Sequence, residues 1–325
     1  MFSEKGNNVD QNVEPWVPTT TSISKQIIVS QQPGYGNYTT IQAAIDQGVP
    51  ENNAQWIHIF VTAGYYGEQI IVPESKPYIF LEGDRGGSLV YFNCSGDIFN
   101  ATLSVKANNF LAKKMIFKRR GQYDYKERTQ AVAASVEGDK IAFIQCAFVG
   151  VQDTLFDVGG RHYFYQCYIE GYVDFIFGRG QSVYEGCHIY LSTGDYGNTG
   201  AGSITAQRRD SGNDPNGFVF KHCTVDGKAQ AILGRPWGPY SRVVFFQSNF
   251  SDVIVPAGWD AWTYVGQEYK FMYAEMNCYG PGANRSQRVK WEKHLTQQQA
   301  KDLLGNGFIN SDGWLDQFPI KLPHP

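Results

Sequence analysis

The stretch Ala142-Phe143-Ile144-Gln145-Cys146-Ala147-Phe148 recurs 21 residues later as Tyr163-Phe164-Tyr165-Gln166-Cys167-Tyr168-Ile169. The pattern returns around Cys187 and Cys223, and once more with Ser248 in the cysteine position. Successive spacings of 21, 20, 36 and 25 residues predict one structural unit per repeat. The aromatic and β-branched residues of each unit indicate short strands. The repeat therefore predicts a β-solenoid in which the longer intervals carry inserted loops.

The segments on either side of the repeat predict how the solenoid begins and ends. Thr39 or Thr40 is suited to cap a helix that ends at Gly48, and this helix would cover the exposed sheet edge of the first coil. Thr296 is suited to cap a second helix over residues 297–304, followed by Gly305. This second helix is expected to leave the solenoid.

The domain organisation follows from where the strand pattern starts and stops. Residues 1–25 are polar and aperiodic and predict an N-terminal arm, residues 26–318 predict a single domain, and residues 319–325 predict a C-terminal tail. The longest interval, residues 191–214, is rich in Gly, Ser, Thr and Asn and predicts a surface loop. Upstream of the repeat, we expect four strands, at residues 56–61, 69–72, 78–81 and 89–92.

Composition narrows the classes of function. A chain of 325 residues with 35 Gly, 20 Tyr and 21 Phe suits one large β structure. A formal charge of −3 does not suggest binding to nucleic acid or to a membrane surface. No CxxC pair occurs and the six histidines are scattered, so we expect no metal and no cofactor. The six cysteines permit disulfides, but their spacing equally fits stacked thiols inside the coils.

The sequence carries mixed signals for secretion. The first residues, Met1-Phe2-Ser3-Glu4-Lys5, lack the apolar core of a signal peptide, and no run of 18 apolar residues exists. Five Asn-x-Ser/Thr sequons nevertheless fit a secreted glycoprotein. They lie at Asn37, Asn93, Asn100, Asn249 and Asn284. Our hypothesis is that the chain is a mature form whose signal has been removed.

Two aspartates, Asp153 and Asp174, occupy the same position in consecutive repeats. Each lies seven residues after its cysteine, and the two are 21 residues apart. In stacked coils their side chains would lie about 4.8 Å apart, which is the spacing between strands. Two carboxylates that close cannot both ionise freely, so the pair indicates one acid beside one base or nucleophile.

Four short segments accompany these aspartates. They are Gln130-Ala131-Val132-Ala133, Gln152-Asp153-Thr154-Leu155, Asp174-Phe175-Ile176-Phe177-Gly178 and Leu233-Gly234-Arg235-Pro236-Trp237. Their first glutamines are 22 residues apart, which is again one coil. The segments predict two amides, two carboxylates, one guanidinium and one indole on a single face of the solenoid.

In this order and spacing, the four segments resemble the signature of the plant-type pectin methylesterases, or pectinesterases. Further matches are Gly64-Tyr65-Tyr66-Gly67-Glu68, Gly280-Pro281-Gly282-Ala283 and Arg288-Val289-Lys290-Trp291, so the resemblance covers about residues 28–315. It implies an all-β fold, a right-handed parallel β-helix with a short N-terminal capping helix and a C-terminal helix and tail. It also implies an aspartyl esterase of the cell wall, which hydrolyses the C6 methyl esters of homogalacturonan (pectin) to pectate and methanol.

The resemblance also implies roles for the acidic and basic residues. Asp174 would be the nucleophile, kept ionised and aimed by a bidentate pair with Arg235. Asp153 would begin protonated, donate its proton to the departing methanol oxygen, and then accept a proton from the water that cleaves the acyl-enzyme. Phe175 and Phe177 alternate along a strand, and at least one of them is expected in the core.

The remaining site residues would bind substrate or developing charge. Gln152, together with Gln130, would donate amide hydrogens to the oxyanion, and Trp237 would offer its flat face to a sugar ring. Trp259 and Trp262 would extend that sugar subsite. His162 and His222 are expected within strands, where neighbouring groups bond them, and not in catalysis.

The resemblance further implies partners and a disulfide. The partners are methyl-esterified homogalacturonan and a proteinaceous pectinesterase inhibitor, with no nucleic acid and no membrane, and the protein is expected to be a monomer. The resemblance favours a disulfide between Cys187 and Cys223.

Two other functions stay open at this stage. A polygalacturonase-like glycoside hydrolase would share the fold and the substrate, and a carboxylate pair near 5 Å also suits glycosidic chemistry. A catalytically inert cell-wall binding relative is the alternative that is not an enzyme. A serine esterase is disfavoured because the chain has no Gly-x-Ser-x-Gly motif.

Overall fold

The computed structural model describes residues 22–93, 100–120, 130–194 and 200–323. This part of the chain forms three parallel sheets of ten, seven and eight strands. Within each sheet, every strand pairs with the strands of the coils before and after it, so the chain visits all three sheets as it winds. This architecture is a parallel β-helix, and the predicted fold class is confirmed.

The strands are short, as expected for the sides of a solenoid. In chain order they are β1 (Ile23–Val29), β2 (Trp56–Val61), β3 (Gly64–Gly67), β4 (Ile70–Val72), β5 (Ile79–Gly83), β6 (Ser88–Asn93), β7 (Leu103–Val105), β8 (Phe110–Lys113), β9 (Met115–Arg120), β10 (Ala134–Val136), β11 (Ile141–Ile144), β12 (Ala147–Val149), β13 (Leu155–Asp157), β14 (Arg161–Tyr165), β15 (Tyr168–Gly171), β16 (Val173–Gly178), β17 (Gln181–Glu185), β18 (His188–Leu191), β19 (Gly202–Gln207), β20 (Gly217–Lys221), β21 (Thr224–Gly227), β22 (Ala231–Pro236), β23 (Arg242–Phe246), β24 (Asn249–Phe250) and β25 (Met272–Met276). The seven-stranded sheet, in the order β22-β19-β16-β13-β10-β7-β4, carries the candidate site. The four strands predicted upstream of the repeat are confirmed as β2, β4, β5 and β6, with small shifts at their ends.

One residue in the left-handed conformation turns the chain from the ten-stranded sheet into the eight-stranded sheet. These turn residues have φ between 46° and 56° and are Lys114, Gln145, Gln166, His222, Gln247 and Asn277. The amide of Gln145 donates to the side-chain oxygen of Gln166 at 3.0 Å, so the turns of neighbouring coils are linked. The prediction that His222 lies within a strand is wrong, because this residue forms an exposed turn.

The residue after each turn points into the core, which explains the cysteine repeat. Cys187 and Cys223 are each 1% exposed, and their thiols donate to the carbonyl oxygens of Phe164 and Tyr184 at 3.4 and 3.3 Å. Both are free cysteines in the structure, so the disulfide implied by the resemblance is not formed. The thiols stack inside the coils as small apolar groups, which is the alternative to disulfides that the cysteine spacing allowed.

Aromatic rings stack along the interior from one coil to the next. Centroid distances of 5.2, 4.5, 4.6 and 4.4 Å join consecutive rings of one column. The column consists of Phe143, Phe164, Tyr184, Phe220 and Phe245. Burial of one such side chain contributes about 1.5–3 kcal/mol, so this column is a large part of what holds the coils in register.

Helices cover the first coil and one outer face. Helix α1 (Ile41–Gly48) is capped by the hydroxyl of Thr40, as predicted, and buries Ile41, Ala44 and Ile45. Helix α2 (Gln297–Leu304) begins with the predicted cap at Thr296. Together with α3 (Gly307–Asn310) and the segment after it, α2 packs on the outside of the ten-stranded sheet. Short 3-10 helices occur at Trp262–Tyr264, Glu268–Lys270, Pro281–Ala283, Arg285–Gln287 and Trp314–Gln317.

Three boundaries differ from the sequence expectation. Strand β1 begins at Ile23, so the last residues of the expected N-terminal arm are part of the sheet. Ile320 and Leu322 of the expected tail are buried, at 8% and 4% exposure. The prediction of a loop over residues 191–214 is wrong in its middle, because the wholly buried β19 lies there, between β16 and β22.

Candidate active site

The predicted site segments meet on one face of the seven-stranded sheet. Asp153 lies just before β13, Asp174 lies in β16 and Arg235 lies in β22. Strand register pairs Gln152 with Val173, so Asp153 and Asp174 occupy facing positions on adjacent coils. Coil spacing places facing positions about 4.8 Å apart. The structure therefore brings together the two carboxylates that the repeat singled out.

Both aspartates adopt a backbone conformation that is unusual for a side chain of this size. Their φ angles are 59° for Asp153 and 49° for Asp174, in the left-handed region. This conformation costs about 1–2 kcal/mol per residue and is best tolerated by Asn and Asp. The register of β16 against β19 also shifts between Val173 and Ile176. Such an irregularity redirects a side chain, and strained residues of this kind cluster at functional sites.

Arg235 binds the carboxylate of Asp174 with two parallel hydrogen bonds. Its Nε donates to Oδ1 at 2.9 Å and its Nη2 donates to Oδ2 at 2.5 Å. Arg235 lies two strands from Asp174 in the sheet, and Ala206 of the strand between them is its register partner. The small side chain of Ala206 leaves room for the guanidinium to reach across. A carboxylate held this way is fixed in orientation.

The environment of Asp153 favours the protonated form of its carboxyl group. This residue is 4% exposed, and its pKa is raised to about 7. Burial is the largest cause, the charge of Asp174 adds to it, and Arg235 opposes it. Burial lowers the pKa of Arg235, but its bond to Asp174 and the nearby charges of Asp174, Asp260 and Asp153 outweigh burial and raise it. The pair thus combines an anchored carboxylate with one that holds a proton near neutral pH.

The two glutamines lie on consecutive coils beside the carboxylates. The backbone N–H of Ala131 donates to the carbonyl oxygen of Gln152 at 3.2 Å, which fixes the register of the segments that contain Gln130 and Gln152. Gln152 is half-buried, whereas Gln130 is exposed. The register aligns Gln152 with Ala131, so Gln130 lies one residue before the position that faces Gln152.

An aromatic cluster borders the carboxylates. Phe156 and Phe177 stack with centroids 4.4 Å apart, and Trp237 lies 6.3 and 6.0 Å from them. Phe175 is fully buried in the main core, which confirms that at least one of the two phenylalanines of this segment is a core residue. Phe156 was missed from the sequence, although it lies 21 residues before Phe177, the same interval as the aspartates.

The two other tryptophans of the predicted sugar subsite lie in different environments. Trp259 is 2% exposed and stacks on Tyr273 at 4.7 Å in the core, so the prediction that it extends the sugar subsite is wrong. Trp262 is 41% exposed and lies over the guanidinium of Arg235, 4.3 Å from its central carbon to the ring centroid. Asp260, which the sequence did not single out, also contributes charge near Arg235.

His162 lies away from this constellation, as expected. It is fully buried, with Nδ1 2.6 Å from Oδ1 of Asp157 and Nε2 2.8 Å from the carbonyl oxygen of Gly138. Within the described residues, no group of three or more His, Cys, Asp or Glu side chains could hold a metal ion. None of the helices described is long and apolar enough to cross a membrane.

The arrangement can perform attack on a carbonyl followed by proton transfer. An oriented carboxylate, that of Asp174, lies beside Asp153, whose pKa is raised to about 7. In this geometry the carboxylate that Arg235 orients, Asp174, can attack and Asp153 can donate a proton.

Comparison with known proteins gives a consistent result. The family model described as Pectinesterase matches residues 26–312. Probable pectinesterase 29 of Arabidopsis thaliana is 45% identical over 306 residues, which cover 92% of this chain and 91% of that protein. Probable pectinesterase 55 of the same plant is 44% identical over 303 residues, covering 91% and 92%.

Solved structures agree with the sequence matches. The pectin methylesterase from carrot superposes with a TM-score of 0.82 at 30% identity, covering 94% of this chain and 99% of the carrot chain. The pectin methylesterase from Aspergillus niger, in deglycosylated form, superposes with a TM-score of 0.76 at 26% identity, covering 93% and 99%.

Proposed function

The chain belongs to the pectinesterase family, and from this membership we propose how its own residues hydrolyse the C6 methyl esters of pectin. The protein is a carboxylic ester hydrolase that converts methyl-esterified homogalacturonan to pectate and methanol. The observation that carries the mechanism is the bidentate Arg235–Asp174 pair beside an Asp153 whose pKa is raised to about 7.

The first step is nucleophilic attack by Asp174. One of its carboxylate oxygens attacks the carbonyl carbon at C6 of a methylated galacturonate unit and forms a tetrahedral intermediate. Arg235 limits the rotation of the Asp174 carboxylate through two hydrogen bonds, so that a weak nucleophile is aimed at the ester. Gln152 and Gln130 donate amide hydrogens to the oxyanion, and one such donor contributes about 3 kcal/mol to a transition state of this kind.

Asp153 then moves the protons. As the bond from C6 to the methoxy oxygen breaks, protonated Asp153 gives its proton to that oxygen, and methanol leaves. An anhydride between C6 and Asp174 remains. Water attacks this anhydride, and Asp153, now a carboxylate, accepts the proton of the water; the product carboxylate and free Asp174 result. A pKa of about 7 suits both steps, because neither form of Asp153 is rare near neutral pH.

Trp237 and the stacked phenylalanines supply the sugar-binding surface. The rings of Phe156, Phe177 and Trp237 form an apolar surface on the carboxylate face. Such a surface fits the C–H face of a sugar ring and the methyl group of the ester. Trp262 borders the same region through its contact with Arg235.

Methanol release from highly methylated homogalacturonan tests the proposal. The wild-type protein should release methanol without new reducing ends, which separates it from a polygalacturonase-like hydrolase. Asp174→Asn should release none while keeping the unfolding midpoint of the wild type. If methanol release survived in Asp174→Asn, the nucleophile would be misassigned. If the wild type released none, the protein would be the inert relative.

We also infer the setting in which the enzyme works. We propose an extracellular, cell-wall location, a monomer built on one catalytic domain over residues 26–318, and engagement by a proteinaceous pectinesterase inhibitor. The exposed sequon residues Asn37 and Asn284 support a glycoprotein. Intact mass before and after deglycosylation, together with light scattering of the purified protein, tests glycosylation and the monomer.

A further inference from the structure

A cavity of about 280 Å³ lies between the ten-stranded sheet and the helices that pack on its outside. One wall contains the first residues of three strands, which are Gln181 of β17, Arg242 of β23 and Met272 of β25. The opposite wall belongs to α2 and α3. The cavity is thus on a different sheet from the candidate active site, which the seven-stranded sheet carries. Its volume is just below that of pockets for drug-sized ligands, so it suits a molecule with one ring or a short chain.

Arg242 brings a positive charge to this cavity without an anion to balance it. Within residues 22–93, 100–120, 130–194 and 200–323, its guanidinium makes one hydrogen bond, from Nη1 to the carbonyl oxygen of Pro215 at 3.0 Å. Its Nε is buried and has no partner. Burial, and then the charge of Arg209, lower the pKa of Arg242 to about 10, so the side chain still carries its charge at neutral pH. A buried cation of this kind is costly unless an anion pairs with it.

The surrounding chain fixes this guanidinium before any ligand binds. The backbone N–H of Arg242 donates to Oε1 of Gln207 at 2.7 Å. On the neighbouring strand β20, a Cβ at Gly217 would lie 2.6 Å from Cδ of Arg242, so the arginine side chain crosses the space that a larger residue would fill. A group held in place in this way loses little entropy when a ligand pairs with it.

The same protein shows what such a guanidinium can hold. Arg235 binds the two oxygens of the Asp174 carboxylate through Nε and Nη2. In Arg242, Nη1 bonds Pro215, which leaves Nη2 without an acceptor among the described residues. A carboxylate supplies both the missing acceptor and the missing charge.

The rest of the lining favours an apolar body and a single negative charge. Apolar side chains on both walls line the cavity, and they are Pro215, Met272, Leu303 and Phe308. Asp302 of α2 also lines it, is exposed, and accepts a hydrogen bond from Nε2 of Gln298 at 2.6 Å. The charge of Asp302 would repel a second anionic group on a ligand.

We propose that this cavity is a binding site for a small monocarboxylate with an apolar body. The carboxylate pairs with Arg242, and the body packs against Met272, Leu303 and Phe308. The site is separate from the catalytic group, so the inference goes beyond the proposed function and does not depend on it. A bound ligand would connect α2 and α3 to the strands beneath them.

The test measures the binding of phenylacetate to the full chain by NMR titration. Acetate carries the charge without the apolar body, and benzyl alcohol carries the ring without the charge. We expect phenylacetate to bind with a Kd on the order of 1–10 mM, as for a ligand of about ten heavy atoms. Acetate and benzyl alcohol should each bind at least about tenfold more weakly.

Two variants remove either the charge or the space. Arg242→Gln should raise the Kd for phenylacetate at least about tenfold, as for loss of a hydrogen bond to a charged group. Gly307 lines the cavity, and a Cβ there meets no atom within 4 Å, so Gly307→Leu should fill part of the space and raise the Kd with Arg242 intact. The control is Lys228→Gln, which removes an exposed positive charge just after β21 of the eight-stranded sheet and should change nothing.

A third variant should change the affinity in the opposite direction. Asp302→Asn removes the repelling charge and should lower the Kd for phenylacetate about two- to fivefold, the size of an exposed charge interaction. Damage to the fold cannot tighten binding, so this variant supports the proposal even where Arg242→Gln loses stability. The melting temperature of each variant without ligand shows whether it is folded.

Three results would overturn the proposal. Arg242→Gln might be folded and bind phenylacetate as tightly as Lys228→Gln does, which would mean that the guanidinium does not hold the carboxylate. Benzyl alcohol that binds as tightly as phenylacetate would lead to the same conclusion. Displacement of phenylacetate by a fully de-esterified hexagalacturonate would place the probe in the substrate site and not in this cavity.

Discussion

Replacing Asp153 by Asn should abolish methanol release and yet stabilise the folded protein at alkaline pH. The carboxyl group is 4% exposed, and its pKa is raised from 3.8 to about 7, first by burial and then by the charge of Asp174. The folded protein therefore holds this proton more tightly than the unfolded chain does. The stability that this group contributes is present at low pH and is lost as the pH rises through about 7.

The size of the effect follows from the same pKa. A rise from 3.8 to about 7 corresponds to about 4 kcal/mol of unfolding free energy lost at alkaline pH. Asn stays neutral at every pH and avoids the loss. The advantage of Asp153→Asn over the wild type should therefore grow from near zero at about pH 4 to as much as about 4 kcal/mol at about pH 8.

Urea unfolding followed by tryptophan fluorescence, at about pH 4.5 and about pH 8, measures this difference. Asp139→Asn is the matched control of opposite sign. Arg161 bonds the carboxylate of Asp139 through Nε at 3.0 Å and Nη2 at 2.7 Å. Burial alone would raise the pKa of Asp139, but these bonds lower it. Asp139→Asn should therefore be less stable than the wild type at both of these pH values, because the contribution of a lowered pKa is lost only below the ordinary value of 3.8. An advantage of Asp153→Asn that is equal at both pH values, or that shrinks as the pH rises, would refute the reasoning.

The other predictions concern catalysis and one buried ion pair. Asp174→Asn should lower kcat by about 10⁴-fold or more, with an unchanged unfolding midpoint in urea; a modest loss would mean that another group attacks the ester. The kcat/KM profile of the wild type should fall as the pH rises through about 7, because Asp153 must be protonated to release methanol. In Arg235→Gln, the pH at which the residual activity falls should be higher than in the wild type, because the charge of Arg235 lowers the pKa of Asp153. A fall at a lower pH than in the wild type would contradict this. Arg288 pairs with Glu275 at 2.6 and 3.0 Å, and both side chains are buried, so Arg288→Leu should cost about 3–5 kcal/mol in urea unfolding. Adding Glu275→Leu should recover part of that loss, and no recovery would show that the pair is not the cause.

Much of the fold was predictable because its repeat is local. Each coil turns at one left-handed residue, such as Gln145 or Gln166, and buries the cysteine that follows it. Those features recur at intervals of 20 to 36 residues in the chain, so the inward positions can be read directly. The helix ends at Thr40 and Thr296 were also predictable, since a capping hydroxyl acts on a backbone N–H three residues away.

The candidate site was predictable where its members lie one coil apart. Asp153 and Asp174, and likewise Phe156 and Phe177, are 21 residues apart, and register alone brings each pair together. Trp259 and Trp262 show where prediction from residue spacing fails. They are three residues apart in a 3-10 turn region without a regular period, and one enters the core while the other covers Arg235. No periodicity in the sequence assigns a face to residues in such a segment.

The sequence by itself determined the coil, the inward positions and the pairing of the two carboxylates, because stacking converts a constant interval along the chain into a constant distance in space. Only the tertiary structure decided that β19 lies between Asp174 and Arg235, and that Ala206 of this strand is the register partner of Arg235. Both arrangements depend on which distant strands pack side by side. The pKa of Asp153, raised to about 7, likewise depends on the residues that bury it. Burial and charge are sums over neighbours from several coils, and a linear spacing contains neither.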